Sequence, residues 1–218
     1  MGCLKGNLSC VLLFFFGFAG VVENVMADLY DEAATELYQH YKEEVARSGG
    51  QLQINFLRHN NSNNASATRD GSLWKINVGG GFLNNHLLSL PAFRLLLCHE
   101  LGHHIGGEPY KFPESDEYGW IAVEGQSDYF ATARCAPLFL KNREEQVAAS
   151  LELAEYWWFR KRRQRGPRPS LDAHAKERPP RTLIGHPSPQ CRLDTYLAGL
   201  DCSSGQDCRP PCWYVPEW

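Results

Sequence analysis

Apolar residues recur along the chain first at helical, then at strand, then again at helical spacing, and each change of period marks an element. From Asp28 to Ser48, Leu29, Ala33, Leu37, Tyr41 and Val45 return every four residues, which predicts an amphipathic helix stopped by Gly49-Gly50. QLQINFL (51–57) alternates through Leu52, Ile54 and Phe56 and predicts a strand; the asparagine-rich HNNSNN (59–64) is a turn or loop. SLWKINV (72–78) alternates again through Trp74, Ile76 and Val78, and Gly79-Gly80-Gly81 end it.

Helical spacing then returns. Pro91 suits a first helical turn with Ser89 as its cap, and the helix carries Phe93, Leu96 and Leu97 before stopping at Gly106-Gly107. A second helix is predicted over Trp120–Cys135, with Pro137 ending or kinking it. A third runs from Asn142 to about Arg163, with Glu144 and Glu145 at its start and Arg160 to Arg163 at its end, as the helix dipole favours. Val147, Leu151, Ala154 and Trp158 form its predicted buried stripe. Few strands followed by a mostly helical remainder is an α+β pattern.

At 218 residues, 43% hydrophobic, 22% charged and with net charge −3, the composition is that of a folded globular chain, with no charge excess favouring nucleic acid. The N-terminus reads as targeting: Lys5, the 12 apolar residues Val11–Val22, and small residues up to Ala27. That run is short for a membrane span, which needs about 20 apolar residues. Residues 1–27 are therefore expected to be a cleaved signal peptide, with an uncleaved anchor as the alternative. Cys10 precedes the run and is badly placed for a lipid anchor. Residues 28–218 form one expected domain, exported to the periplasm or secreted, without stable membrane insertion once the signal is removed.

Six cysteines remain beyond the signal, Cys98, Cys135, Cys191, Cys202, Cys208 and Cys212. An even number in an exported chain reads as disulfides, with the pairing left open. The Cys-rich tail (200–218) could instead form a thiolate zinc knuckle. Residues 164–182 are proline-rich and basic, an exposed loop; a polyanion-binding role for Arg160 to Arg168 is the alternative to a solvated helix end.

The candidate chemistry lies in LLLCHELGHHIGG. His99 and His103, four apart on a helix and about 40° apart around its axis, can face one ion, with Glu100 beside them to hold a water. A catalytic zinc takes three protein ligands and keeps an open position. Glu124, 21 residues after His103, lies on a second helix and is assigned as the third ligand, with Asp128 on the same face to accept a hydrogen bond from a ligand imidazole. The rivals are His104, Glu108 and Asp116. His104 lies about 100° round from His103, Glu108 follows the helix too closely, and the position where a metzincin carries its third histidine is Pro109.

Three blocks, in order, resemble the HtpX-like, Ste24-like and Oma1-like zinc metallopeptidases, a branch of the gluzincins: His99–His103 as HExxH, Glu124–Asp128 as ExxxD, and His186–Arg192 (HPSPQCR) as HPxxxxR. A looser match, Asn64-Ala65-Ser66-Ala67 with Gly71, Ile76, Val78 and Gly81, corresponds to the family's edge-strand region. Gln126-Ser127 replace the family's usual Glu-Ala, the cysteines and tail are extra, and no long apolar segment follows residue 22. The resemblance implies a zincin-like fold with a small antiparallel or mixed sheet whose edge strand lies beside the HExxH helix. SLWKINV would be that edge, able to take up a substrate strand. It also implies one zinc per chain and hydrolysis of peptide bonds in protein or peptide substrates, with Glu100 activating the zinc's water. His186 and Arg192 become candidate oxyanion donors; Arg192 pairing with an acid is the other reading of that residue. The alternative function is a zinc-binding envelope chaperone or assembly factor whose protease site is restrained, with His186 filling the open position.

Overall fold

The computed structural model describes residues 16–85, 87–160, 166–203 and 206–216. Residues 1–15 of the expected signal segment, Lys161 to Arg163 of the expected basic helix end, Gln164-Arg165 of the basic loop and four residues of the tail lie outside them.

Helix α1 (Phe16–Arg47) is continuous through the expected processing point after Ala27. Of its expected stripe, Ala33, Leu37, Tyr41 and Val45 are buried while Leu29 is only half-buried; Tyr30 is buried in its stead, and its ring stacks on Phe93 at 4.2 Å. Strands β1 (Gln51–Leu57), β2 (Ala65–Asp70) and β3 (Leu73–Gly79) make a mixed three-stranded sheet in the order β1-β3-β2. β1 runs parallel to β3 with Ile54 opposite Ile76, and β2 runs antiparallel with Ala67 opposite Ile76. The turn between β2 and β3 uses Gly71 at φ +57, a conformation glycine adopts without a Cβ penalty.

SLWKINV is thus the central strand rather than the edge. Trp74, Ile76 and Val78 are buried on one face because both of its sides are paired. The edges are β1 and β2, and it is the β2 edge that packs most extensively on the histidine-bearing helix. Its sequence, ASATRD, lacks apolar alternation, so its strand character comes from pairing with β3 and not from its own pattern.

After the short helix α2 (Gly80–Asn85), helix α3 (Leu90–Ile105) starts at Ser89, whose Oγ accepts from the Ala92 N–H at 3.3 Å, and closes at Gly106. Residues from Ala92 to His104 on α3 are buried almost without a break, apart from half-buried Arg94, because α1, β2, helix α4 (Glu124–Phe130) and helix α5 (Arg143–Arg160) surround it. α4 begins four residues later than the periodicity predicts. The residues before it are held in a two-stranded bridge, Tyr110 with Ala122, and by the Val123 N–H donating to Pro109 O at 2.9 Å. α4 continues as a π-helical turn (Ala131–Cys135) and a 3-10 turn (Ala136–Leu138) around Pro137.

α5 packs on both α3 and helix α6 (Pro189–Asp201), which rotates its buried face to Ala149, Leu153, Ala154 and Tyr156. Of the expected stripe, Ala154 is fully buried, and Val147, Leu151 and Trp158 are intermediate. α6 itself has no counterpart in the periodicity reading; like α3 it starts with a serine cap and an early proline, here Ser188 followed directly by Pro189.

The six cysteines pair as Cys98–Cys135, Cys191–Cys212 and Cys202–Cys208, so the tail's thiols are engaged in disulfides rather than in a metal knuckle. No helix among the described residues is long and apolar enough to cross a membrane. Cys98–Cys135 ties α3 to the π-helical turn across 37 residues and is fully buried. Replacing both cysteines by alanine is expected to lower stability by about 2–4 kcal/mol, read from urea unfolding as a lower midpoint with a somewhat steeper slope, since the unfolded chain loses a cross-link.

Candidate metal centre

One turn of α3 separates His99 from His103, and their ring centroids stand 4.8 Å apart, both rings buried. Each ring is oriented from its Nδ1. His99 Nδ1 lies 2.7 Å from Asp128 Oδ1; His103 Nδ1 lies 2.8 Å from the Ala122 carbonyl oxygen and 2.9 Å from Ser127 Oγ. A carboxylate and a carbonyl only accept, so each ring keeps a proton on Nδ1 and presents Nε2 as the atom a metal would take. The Arg192 Nη2 atom 3.3 Å from His99 Nδ1 is then a second donor to the same carboxylate, not a partner of the ring.

Glu124 meets these nitrogens because α4 crosses α3 closely at Gly102. A Cβ there would lie 2.9 Å from the Ser127 Cα and carbonyl oxygen, so the smallest residue brings the two helices together. Glu124 Oε2 is 3.4 Å from His99 Nε2, and Oε1 is 3.7 Å from His103 Nε2. Three ligand atoms each about 2.0–2.1 Å from one tetrahedral ion stand roughly 3.3 Å from each other. The three ligand atoms here all lie within 4.8 Å of one another, so the set fits an ion after small adjustments. Among the described residues, His99, His103 and Glu124 are the only such group of histidine, cysteine and acid side chains.

Behind the ligands lies a fully buried ionic cluster. Asp128 accepts from Arg192 Nε at 2.7 Å on Oδ2; its Oδ1 accepts from Arg192 Nη2 at 2.6 Å and from the Tyr196 hydroxyl at 2.7 Å, besides His99. The Trp157 ring lies 4.4 Å from the Arg192 guanidinium carbon. From the other side Trp213, fully buried, packs so tightly on α4 that a Cβ at Gly125 would meet its ring at 2.2 Å.

The charges follow from this layout in the metal-free protein. Burial alone would raise the Glu124 carboxyl, but the His99 hydrogen bond and the charges of His99 and Arg192 hold it well below the usual carboxylate range. Burial likewise opposes ionisation of Asp128, and the Arg192 charge and His99 outweigh it, so Asp128 titrates below its ordinary value. Burial pulls His103 down to about 3, a neutral ring. Burial pulls His99 the same way, yet the charge and hydrogen bond of Asp128 and the hydrogen bond of Glu124 raise it to about 9. Glu100, 3% exposed, is pushed up to about 7, chiefly by burial.

The structure therefore brings His99, His103 and Glu124 together, sets Asp128 on His99 and keeps Glu100 buried in their field. Of the two readings of Arg192, the structure shows the pairing with an acid: at 1% exposure it gives Nε and Nη2 to Asp128. His186 lies on the segment before α6, 58% exposed in its side chain, with Nε2 3.4 Å from Glu124 Oε2. His104 turns away and stacks between Trp74 and Trp120 at 5.6 and 4.9 Å. Sequence reasoning missed Lys111, whose Nζ lies 2.7 Å from Glu124 Oε1, and also Ser127, Trp157 and Trp213. Tyr196 was missed as well, because the helix that sets it four residues after Arg192 gave no periodicity signal.

No protein family, curated protein or solved structure matches this chain.

Metal must displace the second proton of His99, the one on Nε2 that the nearby Asp128 and Glu124 carboxylates favour, so affinity falls as pH drops below about 9 and protonated His99 becomes the competitor. Calorimetry at pH 7.5 in two buffers of different ionisation enthalpy should show about one proton released per ion bound, with a smaller contribution from Glu100. Asp128→Asn should abolish most of that release. It should also destabilise the fold by about 3–5 kcal/mol, because Arg192 is left buried without its counter-charge.

Proposed function

We propose that the protein is a zinc-dependent metalloendopeptidase with a zincin-like site, exported to the periplasm or secreted, acting on protein or peptide substrates. The observation that carries the reading is the buried donor set of His99 Nε2, His103 Nε2 and a Glu124 oxygen, all within 4.8 Å, with Glu100 in the turn between the two histidines. Two imidazoles and one carboxylate with a further position left open is a zinc set of the hydrolytic kind. The three disulfides agree with a compartment where thiols are oxidised.

When bound, the ion would polarise the scissile carbonyl and acidify the attacking water. The chain's own residues supply the rest. Glu100 accepts the water's proton on its carboxylate and later delivers it to the leaving amine nitrogen; in the metal-free chain burial pushes that carboxyl up to about 7. Asp128 fixes the proton of His99 on Nδ1, and the Ala122 carbonyl does so for His103. The outer edge of β2, which has no strand partner among the described residues, offers main-chain groups to an extended substrate.

A second reading is supported by His186, whose Nε2 lies 3.4 Å from Glu124. In that reading the loop histidine restrains the site and the protein serves as a zinc-binding envelope chaperone or assembly factor. Casein cleavage by the purified chain separates the two. The peptidase reading expects cleavage by the wild type and a loss of about 10²–10⁴-fold in Glu100→Gln with zinc retained. Zinc retained without cleavage by the wild type, with cleavage appearing in His186→Ala, would favour the restrained site.

A further inference from the structure

Attack on an amide carbonyl places a negative charge on its oxygen, and hydrolases meet it with a preorganised donor in addition to any metal. Arg192 cannot be that donor, since its charge is spent on Asp128 at the back of the centre. Lys111 is differently placed. Its side chain is 20% exposed, and its Nζ lies 2.7 Å from Glu124 Oε1, the oxygen nearest His103 Nε2.

The position is built into the fold. The Lys111 N–H donates to Ile121 O at 2.7 Å, beside the Tyr110–Ala122 bridge, and the Ala122 carbonyl in turn accepts from His103 Nδ1. Glu124 follows two residues later. One short two-stranded segment therefore sets Lys111, His103 and Glu124 relative to each other. A lysine amine carries three N–H donors, and Glu124 uses one of them.

Charge leads to the same residue. Asp128 and Arg192 cancel, leaving Glu100 and Glu124 as two negative charges against a divalent ion. Attack moves one proton onto Glu100 and one negative charge onto the adduct oxygen, so the net charge of the centre is unchanged while negative charge shifts from Glu100 to that oxygen. Lys111, at Glu124 Oε1, is the cation beside the ligand atoms that is not already paired with Asp128.

We propose that Lys111 is a catalytic residue of this centre, donating from Nζ to the oxyanion of the tetrahedral adduct. The proposal rests on the peptidase reading. In the step it assists, the water oxygen bonds to the carbonyl carbon and the water proton passes to Glu100. The carbonyl π pair becomes the oxyanion held by the Lys111 N–H. On collapse the pair re-forms the carbonyl, the C–N bond breaks, and Glu100 returns the proton to the amine.

The test compares wild type, Lys111→Met and Lys111→Arg in the full disulfide-bonded chain. The measurements are zinc affinity by chelator competition, kcat and KM on a fluorogenic peptide, and the Kd of a phosphinic peptide whose tetrahedral anion mimics the adduct. Lys111→Met should keep zinc and KM, lose about 10²–10³-fold in kcat, and lose phosphinate affinity by a similar factor. Lys111→Arg should recover part of both. Unchanged kcat and phosphinate affinity in Lys111→Met would overturn the assignment. So would a loss of zinc in step with activity, which would make Lys111 only a support for Glu124. A wild type that neither holds zinc nor cleaves overturns the peptidase reading itself, an outcome visible before any variant is compared.

Discussion

The carboxylate of Asp128, wholly removed from solvent, is the point on which the rest of the structure turns. Its Oδ1 takes hydrogen bonds from Arg192, Tyr196 and His99, and its Oδ2 takes one from Arg192. An ion buried this deeply is tolerable only when paired and fully hydrogen-bonded. Here the partners come from α3 and α6 and the carboxylate from α4, so satisfying one charge fixes three helices at once. The same carboxylate decides which nitrogen of His99 carries the proton, and so makes the fold's electrostatic requirement and the site's chemistry one constraint.

Close packing supplies the geometry that the charges need. Gly102 lets α4 approach α3 until Glu124 faces both histidines, and Gly125 leaves the space that the Trp213 indole fills from behind. Trp213 belongs to the tail, which Cys191–Cys212 fastens beside Arg192, and its carbonyl oxygen accepts from the Leu183 N–H at 2.8 Å. The Thr182 hydroxyl donates to Val215 O at 2.9 Å along the same seam. The tail, α4 and the segment leading to His186 therefore support one another. Cysteines that look additional in the sequence secure the third ligand's helix.

The legible parts of the sequence were those whose signal is local. β1 matches QLQINFL residue for residue, and the Ser89 cap, the Gly106 stop and the histidine pair of α3 follow from spacing and capping chemistry alone. Glu124 and Asp128 could be found because their spacing puts both on one helical face. What escaped was set by tertiary contacts. β2 has no apolar alternation and is a strand only through its hairpin with β3, so β3 was expected at the edge. The buried face of α5 is displaced because two neighbours share it. Lys111 lies in a segment without periodicity, and a bridge to residues 121 and 122 carries it to Glu124. The role of Arg192 depended on which of its possible partners was nearest, which spacing does not specify.

The most direct test of the account is X-ray absorption at the zinc edge of the purified, zinc-loaded protein, compared with Glu124→Ala. The account predicts near-stoichiometric metal with imidazole and carboxylate ligands at about 2.0–2.1 Å and no sulfur, and a loss of affinity when Glu124 is removed. A chain that takes up no zinc, or holds it through sulfur at about 2.3 Å, would contradict it.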